Sequence, residues 1–218
     1  INFIFLIENV YLRSTKLIKN LHLSKKLKVK MLFKKLTSIE LERPSEEDYQ
    51  VMEKIPVVVV LDNVRSQHNI GSVFRTSDAF LVEKVILCGI CATPPSPEIH
   101  KSALGAEFSV KWEYVSSTLE AVRGLKQDGY SLIGVEQTEN STPVQNMEMD
   151  SSGKYALIFG NEVKGVSQDV IDECDMCMEI PQWGTKHSLN VSVSVGIVLW
   201  SFLHRILSQK GKNPISKE

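Results

Sequence analysis

Short apolar runs alternate with amphipathic stretches along most of the chain, and this alternation predicts its architecture. Residues 55–62, with the sequence IPVVVVLD, form an unbroken apolar run rich in β-branched side chains. Such a run is typical of a strand that is buried on both faces of a sheet. Similar runs follow at 83–89, 130–136 and 154–160, and we expect another strand to include Cys177 in the sequence CMEIP.

Helical periodicity separates these apolar runs. We predict helices at 70–80, 117–127, 163–174 and about 189–207. Strands that alternate with helices indicate an α/β fold with a mostly parallel sheet flanked by helices. Residues 91–107, CATPPSPEIHKSALGAE, show no clear period, and we interpret them as a long loop.

The length of the chain, 218 residues, is enough for one sizeable core. Residues 36–54 are polar, and we expect them to be helical with Ser45 as the N-cap. The predicted segments are a basic N-terminal extension at 1–30, a helical segment at 31–54, the α/β domain at 55–207 and a flexible tail at 208–218.

Charge is distributed unevenly along the chain. Residues 1–35 hold nine Lys and Arg side chains against Glu8 alone, whereas residues 36–218 hold 16 basic and 25 acidic side chains. A polyanion bound by residues 36–218 would therefore need a local basic patch.

The N-terminal sequence INFIFLIENVYL is apolar but contains Glu8 and is too short to span a bilayer. Its positive charges follow the apolar run, which is the reverse of a secretory signal, so we expect a cytoplasmic protein. Residues 1–30 have two interpretations: an extension upstream of a natural start at Met31, or a basic arm that helps to bind a nucleic acid.

Two CxxC pairs, CGIC and CDMC, raise the question of a zinc site. Cys88 ends one apolar strand pattern and Cys177 lies at the start of another, where free cysteine behaves as a small hydrophobic residue. We therefore expect no structural metal and no disulfide, and we keep a cysteine-based metal or redox site as an alternative.

Three turns that follow predicted strands or open predicted helices carry small and amide residues. They are NIG at 69–71, GNEVKG at 160–165 and GTKHSLN at 184–190. The chain has no G-x-G-x-x-G fingerprint, and Val166 stands where a phosphate loop needs Lys. Because ligands bind at the carboxyl ends of strands in open α/β sheets, we expect the three turns to line one crevice.

The same turns lie in three ordered motifs: NIGSVFRT at 69–76, LIFGNEVKGVS at 157–167 and IPQWGTKHSLNVSVSVGI at 180–197. Through these motifs the chain resembles the SpoU/TrmH family of RNA ribose 2′-O-methyltransferases, in the SPOUT superfamily. KSALGAE at 101–107 resembles a loop of that family. The resemblance covers about residues 55–207, and we expect residues 1–54 to be too short and too charged to form the extra N-terminal RNA-binding domain that the family often carries.

The resemblance implies a deep trefoil knot in the C-terminal part of the domain, one of the rare exceptions to unknotted topology. It also implies that S-adenosylmethionine binds bent in this knot, held mainly by backbone groups. We expect Gly160 and Gly184 to let the main chain approach the adenine or the ribose of this cofactor closely. The implied cofactor-binding residues are Gly160, Ile180, Leu189, Asn161 and Gln182.

A ribose hydroxyl is a weak nucleophile, so the enzyme must position its oxygen and manage its proton. Asn69 offers both a donor and an acceptor, Gly71 is expected to allow a tight turn into the helix, and Arg75 is expected to reach the same pocket. We assign Arg75 to the RNA phosphate and to the developing alkoxide, because a guanidinium with a pKa above about 12 is a poor base. The family is often described with this arginine as the base, and the identity of the proton acceptor stays open.

Three further residues have expected roles near the same pocket. Glu162 would orient Arg75 or Asn69 by a charge-assisted hydrogen bond and favour binding of the cationic sulfonium. Ser188 and Asn190 would cap the last helix and, by the resemblance, contribute to catalysis. The candidates for RNA contact are Arg65, His68, Lys101, Lys186 and His187.

The predicted last helix is apolar around nearly its whole circumference. At 191–207 it is too short for a membrane span, so we expect cover from the sheet on one face and, as the family implies, from a second subunit on another. The expected partners are thus RNA, either tRNA or rRNA, and a second copy of the chain. A catalytically inactive RNA- or cofactor-binding module on the same fold is the alternative function.

Overall fold

The computed structural model describes residues 34–37 and 39–209. The extension predicted at 1–30 and residues 210–218 of the predicted tail lie outside the described residues. The chain divides into two compact units, Ile1–Ser45 and Glu46–Glu218. In the described part of the first unit, Glu40 accepts hydrogen bonds from the backbone N–H and the hydroxyl of Thr37.

The second unit is a parallel sheet with helices on both faces. The strands of the described region are β1 Ile55–Asp62, β2 Val82–Cys88, β3 Trp112–Val115, β4 Ser131–Val135, β5 Thr142–Pro143, β6 Tyr155–Phe159 and β7 Met176–Glu179. Its helices are α1 Glu46–Val51, α2 Gln67–Ala79, α3 Pro97–Ala103, α4 Ala106–Ser109, α5 Thr118–Gln127, α6 Gln168–Ile171 and α7 Val191–Gln209, with a 3-10 turn at Val144–Asn146.

The strand order is β3-β2-β1-β6-β4-β7-β5, and every neighbouring pair is parallel. Strand β1 lies between β2 and β6, with Val59 in register with Val85 on one side and Leu157 on the other. The α/β architecture predicted from the alternating pattern is confirmed. The chain runs outward from β1 to β2 and later returns to the other side of β1, so the strand order reverses there.

The two faces of β1 explain its unbroken apolar sequence. Val57 and Val59 pack into a core layer with residues of α2 and α7, whereas Val58 and Val60 pack into a second layer with residues of α5. All four valines are fully buried. A strand that is covered on both faces needs apolar side chains at successive positions, which matches the observed run.

Several boundaries differ from the prediction. Residues 91–107, interpreted as a loop, contain α3 and α4. Ser96 caps α3 by accepting the N–H of Ile99, and a left-handed Leu104 followed by a left-handed Gly105 separates the two helices. These helices are only seven and four residues long, too short to show a clear hydrophobic period.

The helix predicted at 163–174 is reduced to the single turn α6, because residues 160–167 form a hydrogen-bonded loop. The helix predicted at 36–54 is limited to α1. The short strands β3 and β5 had no predicted counterpart. The last helix begins and ends two residues later than predicted, so residues 208 and 209 of the predicted tail are helical.

Helix α7 has 19 residues and is long and apolar enough to cross a membrane, judged by length and composition alone. No other helix in the described ranges meets this criterion. The expectation that it would be too short is therefore wrong. Its inward face carries Val195, Val198, Leu199 and Phe202, all fully buried in the core layer beside β1. We interpret α7 as a helix of the folded domain because of this packing.

Candidate active site

A cavity of about 510 Å³ lies at the edge of the sheet where β4, β6 and β7 end. Its walls come from residues 135–137, the loop at 160–165 and the segment that connects β7 to α7. The turns after parallel strands meet at one edge of a sheet, which is why residues so distant in sequence converge here. The cavity is lined by all five residues predicted to bind a cofactor, namely Gly160, Asn161, Ile180, Gln182 and Leu189.

Glu162 connects the second motif to the first. Its carboxylate accepts hydrogen bonds from the backbone N–H groups of Arg65 and Ser66, each at 3.1 Å, and from Nδ2 of Asn69 at 3.0 Å. Burial alone would raise the pKa of Glu162, but the hydrogen bonds it accepts, first from its own backbone N–H and then from these groups, hold the pKa below its ordinary value. Glu162 is thus an ionised acceptor that orients Asn69.

Asn190 connects the third motif to the same group. Its Nδ2 donates to Oδ1 of Asn69 at 3.1 Å, while its own Oδ1 accepts from the backbone N–H and the hydroxyl of Ser192 at 2.9 and 2.6 Å. Asn190 therefore caps α7, as predicted. A continuous chain of hydrogen bonds, Glu162–Asn69–Asn190, joins all three motifs beside the cavity.

Ser188 and His187 also line the cavity. The carbonyl oxygen of His187 accepts a hydrogen bond from Nε2 of Gln137 at 2.8 Å, which ties the segment before α7 to the turn after β4. Four of the five residues predicted to be catalytic, Asn69, Glu162, Ser188 and Asn190, are thus at or beside one cavity.

Arg75 is not part of this hydrogen-bonded group, and the expectation that it reaches the same pocket is not confirmed. It is exposed on α2 and does not line the cavity, and its side chain makes no hydrogen bond or ion pair within the described part of the chain. Glu162 was expected to orient either Arg75 or Asn69, and the structure shows that its hydrogen-bond partner is Asn69. The guanidinium of Arg75 is therefore available to a ligand outside the protein surface.

Gly71 has a different role from the one predicted. It is buried inside α2, and a Cβ at this position would collide with Oγ of Ser102 and with the carbonyl oxygen of Ile99. The expectation of a tight turn is wrong, because the glycine instead allows α2 and α3 to pack closely.

Gly160 is also explained by contacts within the protein. A Cβ there would collide with the backbone of Gly165 and Val166, so the glycine allows the loop at 160–167 to close on itself. A Cβ at Gly184, in contrast, would meet no protein atom within 4 Å. The close approach of a cofactor to these two positions stays a prediction.

The RNA-contact candidates form two groups. His68 and Lys101 both lie against the carboxylate of Glu98, at 3.5 and 2.7 Å, and Lys101 holds the pKa of Glu98 below its ordinary value. The positive charge of Lys101 is thus partly neutralised. Lys186 is exposed, and neither it nor the side chain of Arg65 forms an ion pair with any residue that the structure describes.

Two carboxylates that sequence reasoning missed hold the loop at 160–167. Glu136 lines the cavity and accepts the backbone N–H of Val166 at 3.0 Å. Asp62, only 1% exposed, accepts the backbone N–H and hydroxyl of Ser167 at 2.9 and 3.0 Å and the hydroxyl of Thr118 at 2.6 Å. An acidic residue at or just after the end of an apolar strand was the available signal in both cases.

All four cysteines are free thiols. Burial raises the pKa of Cys88 to about 12 and that of Cys91 to about 11. Within residues 34–37 and 39–209, no group of three or more His, Cys, Asp or Glu side chains is arranged to hold a metal ion.

Comparison with known proteins agrees with this geometry. The model of the SpoU rRNA Methylase family matches residues 56–200, which include all three motifs, Glu136 and nearly all of the sheet. The chain belongs to the SpoU rRNA methylase family. The family resemblance drawn from the motifs is therefore confirmed.

Two proteins illustrate how far the similarity extends. A Staphylococcus saprophyticus protein named as a TrmH family tRNA/rRNA methyltransferase is 30% identical over 156 residues, which cover 72% of this chain and 61% of the relative. The chain thus spans about three fifths of the length of that curated relative. The crystal structure of a TrmH/SpoU tRNA modifying enzyme from A. aeolicus is 26% identical, with a TM-score of 0.66 over 79% of this chain and 86% of that one.

A third protein was solved with a ligand. The AdoMet-bound rRNA methyltransferase of Sinorhizobium meliloti is 26% identical, with a TM-score of 0.64 over 76% of this chain and 61% of its own. Together these structures establish the α/β methyltransferase fold for the SpoU rRNA methylase domain described here.

Proposed function

We propose that the protein transfers a methyl group from S-adenosylmethionine to a ribose 2′-hydroxyl of tRNA or rRNA. The observation that carries the proposal is the Glu162–Asn69–Asn190 hydrogen-bond chain, which joins the three motifs beside the cavity. Family membership supports methyl transfer to RNA. A solved structure described as an RNA 2′-O ribose methyltransferase, 25% identical with a TM-score of 0.62, supports the ribose as acceptor.

The cavity fits the cofactor by size and by chemistry. Its volume of about 510 Å³ lies in the range of small-molecule sites. The partly exposed apolar side chain of Leu189 lines it and would contact the adenine, while the backbone at Gly160 and Ile180 offers hydrogen-bonding groups. When bound, the cofactor would supply an activated methyl group on a sulfonium, and the carboxylates of Glu162 and Glu179 in the cavity wall favour that positive charge.

The chain's own residues would position the acceptor ribose. Asn69 receives one hydrogen bond from Asn190 and gives one to Glu162, so its amide is fixed in orientation at the rim of the cavity. A fixed amide can hold the ribose hydroxyl close to the methyl donor, and such positioning lowers the entropic part of the barrier.

Arg75 is proposed to bind the RNA phosphate next to the reacting ribose and to stabilise the developing alkoxide. Its exposure and its lack of partners in the described chain support this role, because no internal ion pair has to be broken when RNA binds. Proton removal is then left to the phosphate or to solvent.

RNA is proposed to approach over the segment that connects β7 to α7. Within this segment His187 lines the cavity and Lys186 precedes it, while the backbone N–H of Arg65 bonds to Glu162 in the cavity wall. Neither Lys186 nor the side chain of Arg65 forms an ion pair with the described residues. This local basic surface is what a domain with an excess of acidic residues needs in order to bind a polyanion.

A homodimer is also part of the proposal. Val193, Ile197 and Trp200 recur at helical spacing on the outer side of α7 and are partly exposed. Two of them, Ile197 and Trp200, line a groove of about 830 Å³ together with Val144 and Met147. A second copy of the chain would cover this apolar face, as expected from the sequence.

Two further predictions belong to this proposal. The trefoil knot is proposed from the family resemblance, and the 160–167 loop that would take part in it is anchored to Asp62 at the end of β1 and to Glu136 just after β4. A cytoplasmic location is supported by the four free thiols, which suit a reducing compartment.

The decisive experiment incubates the purified protein with methyl-labelled S-adenosylmethionine and with total tRNA or rRNA separately. Digestion to nucleosides then identifies the labelled product. We expect label in 2′-O-methyl nucleosides from one of the two RNA classes. Label found only in base-methylated nucleosides would contradict ribose as the acceptor, and no label in any RNA would favour the inactive module.

A further inference from the structure

Trp183 is the most exposed large apolar side chain in the described part of the chain, with 91% of its surface accessible. It makes no hydrogen bond, ring contact or cation–π contact with any residue described in the structure. Tryptophan normally buries a large area and finds a partner for its indole N–H. Its position therefore indicates a ligand that the isolated chain does not provide.

The backbone that carries Trp183 is anchored. Gln182, its neighbour, lines the cavity, and Ile180 packs against the core. Further along the segment, Gln137 holds the carbonyl oxygen of His187, and Asn190 caps α7. Trp183 thus stands directly after a residue that lines the cavity, on a segment fixed on both sides.

The surroundings of Trp183 favour a nucleic acid over a protein partner. No Asp or Glu occurs between Ile180 and Gln209, although residues 36–218 have an acidic excess. Lys186 is exposed three residues after Trp183, and Gly184 has open space where a side chain would stand. Proteins that bind single-stranded RNA stack its bases on exposed aromatic rings and hold its phosphates with nearby cations. Trp183, Lys186 and the open backbone at Gly184 provide such an arrangement.

We propose that Trp183 is a positioning residue that stacks on an unpaired RNA base at or next to the methylated nucleotide. This inference rests on the proposed function, since it takes RNA as the substrate. Stacking would hold the acceptor strand across the rim, so that its ribose reaches Asn69 and Asn190. Because every base has a π face, the contact selects unpaired nucleotides and not a particular base.

The kinetic test compares Trp183→Ala, Trp183→Leu and Trp183→Phe with the wild type on the RNA class that accepts methyl groups. We expect Trp183→Ala to raise KM for RNA about 5- to 100-fold, in line with the loss of one stacked base. The kcat and the Kd for S-adenosylmethionine should change less than about twofold. Trp183→Phe should restore most of the affinity, whereas Trp183→Leu, which keeps apolar area without a π face, should resemble Trp183→Ala.

The salt dependence of RNA affinity distinguishes a base-stacking contact from a phosphate contact. Trp183→Ala should leave the slope of RNA affinity against salt concentration unchanged. Lys186→Gln should lower that slope by about 0.7–0.9, as expected for the loss of one phosphate contact. An unchanged KM in Trp183→Ala, equal KM values in the Leu and Phe variants, or a changed oligomeric state in Trp183→Ala would each overturn the inference.

A binding measurement keeps this inference separate from the proposed function. Tryptophan fluorescence of the full chain, excited near 295 nm and corrected for absorption, should be quenched when total tRNA or rRNA fragments bind. Trp183→Phe should remove most of the quenching, and Trp112→Phe should retain it. Loss of quenching in Trp183→Phe would support stacking even if no methyl transfer were detected, and full quenching in that variant would refute it.

Discussion

At the scale of single residues, the hydrogen bonds around Asn69 distinguish the residues that orient this side chain from the residues that are proposed to contact RNA. Asn69 is held by Glu162 and Asn190, and both of these also serve the backbone of neighbouring segments. Arg75 has no such partner in the described chain. Loss of the Arg75 side chain should therefore lower the rate of methyl transfer alone. Loss of the Glu162 carboxylate should also lower the stability of the fold.

Arg75→Ala should reduce methyl transfer by about 100-fold or more, the effect expected when a positioned charge-stabilising group is removed. Affinity for S-adenosylmethionine should be nearly unchanged, because Arg75 does not line the cavity. Single-turnover kinetics and calorimetry with the cofactor measure the two effects. Activity within about tenfold of the wild type would contradict the role assigned to Arg75.

Glu162→Gln should destabilise the protein at pH 7 by about 1 kcal/mol, since an exposed carboxylate loses charge-assisted hydrogen bonds. The pKa of Glu162 is lowered on folding, so its stabilising contribution is present above the ordinary value of 4.5 and is lost as pH falls through the lower folded pKa. The difference between wild type and variant should therefore shrink between pH 7 and about pH 3.

Urea unfolding at the two pH values measures this difference. Glu139→Gln is the matched control, because Glu139 is exposed in a turn and its side chain has no hydrogen bond to the described residues. A stability gap for Glu162→Gln that is the same at both pH values would show that the carboxylate's charge contributes nothing.

At the scale of elements, the packing of α2 on α3 sets the position of the first motif. Asn69 lies in the first turn of α2, and Gly71 lets this part of the helix approach Ile99 and Ser102. The hydroxyl of Ser102 also donates to the carbonyl oxygen of His68 at 3.0 Å. The short helix α3 thus supports the segment that presents Asn69.

Gly71→Ala should lower the free energy of unfolding by about 1–3 kcal/mol, because the added methyl group collides with backbone that cannot move independently. Gly124→Ala is the matched control in α5, where a Cβ meets nothing within 4 Å. That change should stabilise the protein by about 0.5–1 kcal/mol through helix propensity. Denaturant titration of both variants checks the pair, and equal stabilisation by both would contradict the close packing.

At the scale of the whole molecule, the core covers one face of α7 and leaves another partly exposed. Trp200 contacts the ring of Phe80, with centroids 6.0 Å apart, yet 49% of its surface remains accessible. Such an apolar face is typical of an interface between subunits.

Trp200→Glu should convert a wild-type dimer into a monomer, because burying a carboxylate in the apolar row formed with Val193 and Ile197 costs free energy. Light scattering after size exclusion at about 10 μM protein measures the mass, and thermal unfolding checks that the variant still folds. Val51→Glu, a change at an exposed position on α1, should leave the mass unchanged. A monomeric wild type would contradict the proposed dimer.

The sequence by itself determined the parallel α/β sheet and most of the residues around the cavity. The run at 55–62 is apolar at successive positions because β1 is covered on both faces, and this burial is visible in the local pattern. The motifs also predicted that Gly160, Ile180 and Leu189 lie together, and the three residues line one cavity because turns after parallel strands meet at one edge of the sheet.

Only the tertiary structure decided which distant groups touch. The collision that explains Gly71 involves atoms of α3, and the anchoring of the 160–167 loop depends on Asp62, about a hundred residues earlier in the chain. The partner of Glu162 was left open between Arg75 and Asn69 until the geometry selected Asn69. The hydrophobic period of a sequence indicates which side chains are buried. It does not show which helices and strands approach each other closely, because that depends on how the elements pack in three dimensions.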